Sequence, residues 1–206
     1  MTLREKYGEW GIILGATEGV GKAFCERLAK EGMNVVMVGR REEKLKELGE
    51  ELKNTYEIDY KVVKADFSLP DATDKIFAAT ENLDMGFMAY VACLHSFGKI
   101  QDTPWEKHEA MINVNVVTFM KCFYHYMKIF AAQDRGAVIN VSSMTGISSS
   151  PWNGQYGAGK AFILKMTEAV ACETEKTNVD VEVITLGTTL TPSLLSNLPG
   201  GPQGEA

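Results

Sequence analysis

The chain has 206 residues, 45% apolar and 23% charged, with 21 basic and 27 acidic side chains giving a formal charge of -6. This is the balance of one ordinary soluble globular domain over residues 1–206, and its acidic excess, with no basic run to offset it, argues against nucleic acid or an anionic membrane surface as partner. The start, MTLREKYGEW, lacks the apolar stretch of a secretory signal, and no apolar run reaches the ~18 residues of a membrane span, so a cytoplasmic protein is expected.

Short apolar, β-branched runs alternate with helical patterns along the chain. Strands are expected at 10–14 (WGIIL), 34–39 (NVVMVG), 60–64 (YKVVK), 87–92 (FMAYVA), 137–142 (AVINVS) and 180–185 (DVEVIT). Between them, GKAFCERLAKEG puts Ala23, Phe24, Leu28 and Ala29 on one helix face, and EEKLKELGEELKNTY repeats Leu45, Leu48 and Leu52 at helical spacing. Such alternation predicts an α/β fold, a parallel sheet covered by helices on both faces.

Directly after the first strand comes GATEGVG, with Gly15, Gly19 and Gly21, and then an amphipathic helix. A glycine-rich turn between strand and helix lets backbone N–H groups approach a pyrophosphate at the positive helix end, so Gly15, Thr17, Glu18, Gly19, Val20 and Gly21 are candidate dinucleotide contacts. The second strand ends in VGRR, where a carboxylate would favour NAD. Gly39 leaves room there, and Arg40 and Arg41 offer planar, permanent charges to a 2′-phosphate, so NADP(H) is the expected cofactor. Glu42 and Glu43 are expected to point away along the following helix.

Cys25, Cys93, Cys122 and Cys172 show no metal or dithiol spacing and read as buried free thiols. His95, His108 and His125 form no ligand set and read as structural or exposed.

Three tyrosines carry a lysine four positions on: Tyr60/Lys64, Tyr124/Lys128 and Tyr156/Lys160. The first pair lies in a strand, about 13 Å apart, and the second is an ordinary helical neighbour pair. Only Tyr156 also has a serine, Ser143, placed just past a strand end where ligands of parallel sheets lie. Moving a hydride from an alcohol carbon also requires moving the hydroxyl proton; a phenol can take it, a neighbouring ammonium draws the phenol towards ionisation, and a serine can hold the substrate oxygen. Gly157 and Gly159 weaken this helix, which predicts a close approach by a cofactor, a neighbouring strand or a dimer partner.

The turn, with Leu14 in place of a threonine, together with Ser143, Tyr156 and Lys160, resembles the short-chain dehydrogenase/reductase family. The resemblance implies a Rossmann-type doubly wound sheet of order 3-2-1-4-5-6. It also implies a catalytic role for Asn115 as a link in a water-mediated proton path to the lysine. Dinucleotide contacts are implied at Asp66, with Phe67 beside it, and at Ala92, the survivor of an NNAG motif that reads YVAC here. Gly187, Thr189 and Thr191 in LGTTLTP fall where the family reads PGxxxT, with Leu186 replacing the proline. Asp66 also reads as a helix-capping acid. The family pattern further implies a homodimer paired through helices at about 104–132 and 154–176.

Segments 90–117, 142–170 and 184–202 resemble bacterial family members that oxidise the 7β-hydroxyl of bile acids, implying a steroid or bile-acid substrate. Leu94, Met144, Trp152, Leu190, Leu194 and Leu195 could line its apolar pocket, and Thr145 and Asn153 could add polar contacts. A reductase of another bulky ketone, or an NADP-binding sensor without turnover, remains open on the residues alone. Family members run to about 250 residues, so a seventh strand and the end of the substrate-covering segment are expected to be missing from a truncated C-terminal end.

Overall fold

Six strands, β1 (Trp10–Leu14), β2 (Asn34–Gly39), β3 (Tyr60–Lys64), β4 (Met85–Tyr90), β5 (Gly136–Ser143) and β6 (Val179–Leu186), form one parallel sheet in the order β3-β2-β1-β4-β5-β6. The computed structural model describes residues 1–148 and 150–189. The first three strands begin and end where the β-branched runs do. β4 starts two residues before the expected run, at Met85, opposite Trp10 where the ladder shifts register, and ends at Tyr90. β5 and β6 each extend one residue further at both ends.

The crossovers are helical: α1 (Leu3–Tyr7) precedes β1, then come α2 (Gly19–Lys30), α3 (Glu42–Tyr56), α4 (Ala72–Thr80), α5 (Trp105–Ile112), α6 (Phe119–Gln133) and α7 (Gly154–Glu173). A π-helical turn, Asn113–Thr118, joins α5 to α6, where the sequence pattern suggested one continuous helix. Alternate strand residues face opposite layers, as the pleat dictates. Ile12, Leu14, Val36 and Val38 pack with Met88, Tyr90, Phe119 and Phe123 on one face, while Ile13, Val35, Met37, Phe87 and Ala89 meet Cys25, Leu28 and Leu45 on the other. No helix among the described residues is long and apolar enough to cross a membrane.

The strand order reverses between β1 and β4. That switch point opens a crevice beyond the carboxyl ends of the strands, the place where open α/β sheets take ligands.

Candidate active site

A cleft of about 500 Å³ occupies this crevice. Its floor at one end is the turn after β1. Gly15 has φ +100°, and a side chain there would begin 2.7 Å from the Ala92 nitrogen. A Cβ on Gly21 would fall 1.9 Å from the Gly15 carbonyl oxygen, so the turn folds onto its own helix only with glycine at both places. Gly15, Thr17, Glu18, Gly19 and Val20 line the cleft, whereas Gly21 serves this packing behind it. α2 carries no acidic residue in its first turn, and its N-cap residue Glu18 makes no side-chain cap bond, so the N–H groups of its positive end are left for a ligand.

Arg40 and Arg41 rim the same end, both exposed. Arg41 makes an ion pair with Glu18 at 2.7 Å, tying the end of β2 to the turn. Glu42 and Glu43 instead hold Lys46, at 2.9 and 3.0 Å, so the acids do run along α3 away from the arginines. Asp66 accepts from the Ser68 backbone N–H and hydroxyl, at 2.9 and 2.7 Å, in a local turn rather than capping α4. It lines the cleft with Phe67 and Ala92. Gly187, Thr188 and Thr189 close the far side, with the Thr189 hydroxyl donating to the Gly187 carbonyl at 3.2 Å. Thr191, Leu190, Leu194 and Leu195 lie outside the described residues. The glycine cradle, the open helix end and two cations at the β2 terminus fit a dinucleotide with a phosphorylated ribose.

Ser143 ends β5, and Tyr156 and Lys160 follow on successive turns of α7. The Ser143 hydroxyl accepts from the Thr145 N–H at 3.2 Å and from the Thr145 hydroxyl at 2.9 Å, which leaves its own proton for a ligand. Lys160 is fully buried and donates to the Val141 carbonyl at 2.7 Å, with Nζ 5.8 Å from the Tyr156 ring centre. Burial pushes the lysine down. The expected lowering of the Tyr156 phenol by its lysine is not what the protein's own groups produce. Burial above all, and the Cys93 thiol after it, push it above the ordinary tyrosine value, with the Ser143 hydroxyl opposing, because removing a phenolate from water disfavours its charge.

The decoys separate cleanly. Tyr60 donates to Glu50 on the surface of α3, and Tyr124 is 59% exposed with Lys128 over its ring. Neither reaches the cleft.

Asn115 is buried in the π-helical turn and does not line the cleft. Its side chain accepts from the Leu94 N–H at 3.0 Å and donates to the Leu94 carbonyl at 2.6 Å, clamping the segment that follows β4. The same residue explains Gly159, whose Cβ would sit 2.8 Å from the Asn115 Cβ. At Gly159 the chain's own π-helical turn makes a close approach, and at Gly157 the Thr145 carbonyl does so at 2.7 Å, a kind of neighbour not among the three candidates named on sequence grounds. Gly159→Val is therefore expected to lower unfolding free energy by about 1–3 kcal/mol in a denaturant titration; unchanged stability would contradict this packing.

Several expectations need correction. Cys25 and Cys122 are buried, but Cys93 and Cys172 are exposed, and Cys93 lines the cleft beside Tyr156. The YVAC segment keeps its anchorage without asparagines: Val91 and Ala92 N–H groups donate to Leu14, and the buried Tyr90 hydroxyl donates to the Val114 carbonyl at 2.6 Å. His108 and Gln155 bond each other, and His125 stacks on Phe77, both as structural groups. His95 is different: it lines the cleft edge-on to Tyr156, with ring centres 5.7 Å apart. Thr145, Asn153, Leu94 and Met144 also line the cleft. Trp152 does not. Its φ of +61° carries the indole into a neighbouring apolar groove with Trp105 and Ile100, and nothing in the structure explains why so bulky a residue takes that conformation.

The family model for short chain dehydrogenase matches residues 9–198. The 7β-hydroxysteroid dehydrogenase of Collinsella aerofaciens is 84% identical over all of this chain, which spans 78% of that protein. The 7β-hydroxysteroid dehydrogenase of Clostridium sardiniense is 45% identical, again over the whole chain and 79% of that protein. A solved structure concerned with 7β-hydroxysteroid dehydrogenase stereoselectivity superposes with a TM-score of 0.94 over 99% of this chain and 79% of the other, at 84% identity.

Proposed function

Because the chain belongs to the short-chain dehydrogenase family and is an oxidoreductase of that family, we propose that it acts as a single dinucleotide-binding domain that moves a hydride between NADP(H) and C7 of bile acids. The reaction interconverts the 7β-hydroxyl of ursodeoxycholate and the 7-oxo group of 7-oxolithocholate. The reading rests first on Ser143, Tyr156 and Lys160 meeting at the switch-point cleft of a chain 84% identical to a 7β-hydroxysteroid dehydrogenase. Arg40 and Arg41 support NADP(H) over NAD(H).

When bound, the dinucleotide supplies or accepts the hydride. Ser143, held by Thr145, donates to the substrate oxygen and fixes it beside the phenol. Tyr156, kept protonated at neutral pH by its burial, delivers its proton to that oxygen in reduction and recovers it in oxidation. Lys160, pinned by the Val141 carbonyl, stabilises the phenolate left behind. Asn115 acts from behind the site, holding Leu94 and with it the wall carrying Cys93 and His95.

The reading is tested by following NADPH absorbance with 7-oxolithocholate and with a panel of unrelated bulky ketones, then resolving the product by chromatography. Formation of the 7β-epimer, at a rate exceeding that for the other ketones, supports it. A preference for another ketone overturns the bile-acid assignment while leaving the oxidoreductase in place.

We further propose a cytoplasmic homodimer joined through α7 and through α5, the π-helical turn and α6, along which Trp105, Ile112, Val117 and Tyr124 are exposed. Sedimentation equilibrium is expected to give twice the 22.7 kDa of the chain. A mass that stays at one chain across micromolar concentrations would contradict the pairing.

A further inference from the structure

Buried side-chain atoms without a hydrogen-bond partner are few among the described residues: His95 Nε2, Asn140 Oδ1 and Asn153 Oδ1. Asn140 stands apart, within the core of β5, where its amide nitrogen donates to Thr167. The other two residues both line the cleft that holds Ser143 and Tyr156. An unpaired polar atom shielded from water is destabilising, and a folded chain retains few of them without a role.

Asn153 is the more telling. It is only 7% exposed and occupies the N-cap of α7, where an asparagine oxygen ordinarily accepts a backbone N–H from the first turn. Here it makes no such bond. The stabilisation of a cap has been forgone, and a pure acceptor is left at the cleft wall. His95 sits on the segment clamped by Asn115 through Leu94. Its ring is fixed edge-on between Tyr156 and Phe97, each at 5.7 Å between ring centres. Burial and the charge of Lys160 both push its imidazole down, so near neutral pH it is uncharged and offers one donor and one acceptor nitrogen.

The nucleotide half of the cleft is furnished separately by the glycine turn, the two arginines and Asp66. His95 and Asn153 lie with Phe97 and Thr145 on the segments after β4 and before α7, towards the substrate side. We propose that His95 and Asn153 form a hydrogen-bonding subsite for a second hydroxyl of the substrate, distinct from the one that reacts. The asparagine oxygen selects a group that can donate, which a hydroxyl does and a carboxylate does not. An uncharged imidazole lining the same cleft suits a neutral alcohol in the same way. This rests on the bile-acid reading above and deepens it. The enzyme favours steroids that carry a hydroxyl on the nucleus besides the group at C7, such as the 3-hydroxyl of 7-oxolithocholate.

The test compares wild type, His95→Phe and Asn153→Leu, substitutions that keep ring packing and side-chain volume. Each protein, loaded with NADP, is titrated calorimetrically with 7-oxolithocholate and with the same acid lacking its 3-hydroxyl; NADPH affinity is measured separately by fluorescence. The wild type is expected to bind the hydroxylated acid about tenfold more tightly than the other, the value of one well-made hydrogen bond in a desolvated site. Each variant is expected to lose that discrimination, with affinity for the acid lacking the hydroxyl and for NADPH moving less than twofold. Equal weakening for both steroids would make the two side chains packing groups, and weakening confined to NADPH would assign them to the cofactor; either result overturns the proposal. If the wild type binds neither steroid, the bile-acid reading fails and the subsite falls with it. If it binds both equally well, only the subsite fails.

Discussion

Tyr156→Phe is expected to bind NADPH as the wild type does and to oxidise a 7β-hydroxy bile acid roughly a thousandfold more slowly, the usual range for a positioned general acid or base. The substitution removes one oxygen and leaves the ring, which packs against His95 and under the Lys160 ammonium. The glycine turn and the arginines proposed to receive the nucleotide follow β1 and β2, across the switch point from β5 and α7. Steady-state rates and NADPH fluorescence titrations on the same preparation separate the two effects. Turnover within a few fold of wild type would remove Tyr156 from the chemistry. Loss of NADPH binding in parallel would mean that the tyrosine serves the nucleotide instead.

Replacing Arg40 and Arg41 together with alanine is expected to weaken NADPH binding about 100-fold while changing NADH binding only a few fold. A charge-assisted hydrogen bond contributes roughly 1.5–3 kcal/mol, and the two exposed guanidiniums, partly screened, would together account for about two powers of ten. The arginines are not equivalent. Arg41 already holds Glu18 of the turn at 2.7 Å, whereas Arg40 makes no ion pair among the described residues. Arg40→Ala alone should therefore carry most of the loss, and Arg41→Ala should also disturb the turn and so weaken both nucleotides. Affinities that fall equally for NADPH and NADH in Arg40→Ala would contradict a 2′-phosphate contact.

The sheet was legible wherever a β-branched run is bounded on both sides. β1, β2 and β3 begin and end with their apolar runs, and the strand-turn-helix context located the glycine turn. Met85 and Gly86, with neither branching nor aromatic character, hid the start of β4. Ser143, Tyr156 and Lys160 stood out in the sequence because a proton transfer would use those residue types, and the structure brings the strand end and the helix start to one cleft. Asn115 was marked only by the family resemblance, and its bonds to Leu94 depend on a π-helical turn that no periodicity in NVNVV announces.

His95, Cys93 and Trp152 show what a pattern leaves out. CLHSF contains no spacing that marks a site; His95 and Cys93 reach the cleft because they follow the end of β4, the strand beside the switch point. That position relative to the topology was the one available signal. Trp152 neighbours Asn153 in sequence, yet its positive φ sends the two side chains to different cavities.

The most direct measurement incubates the purified protein with NADP and, separately, with the 7α- and 7β-hydroxy epimers of the same bile acid, following absorbance at the nicotinamide band and identifying the product by mass spectrometry. The account predicts NADP-dependent formation of the 7-oxo acid from the 7β-epimer, with the 7α-epimer left essentially unconverted. Equal conversion of both epimers, or conversion of the 7α-epimer alone, would contradict it.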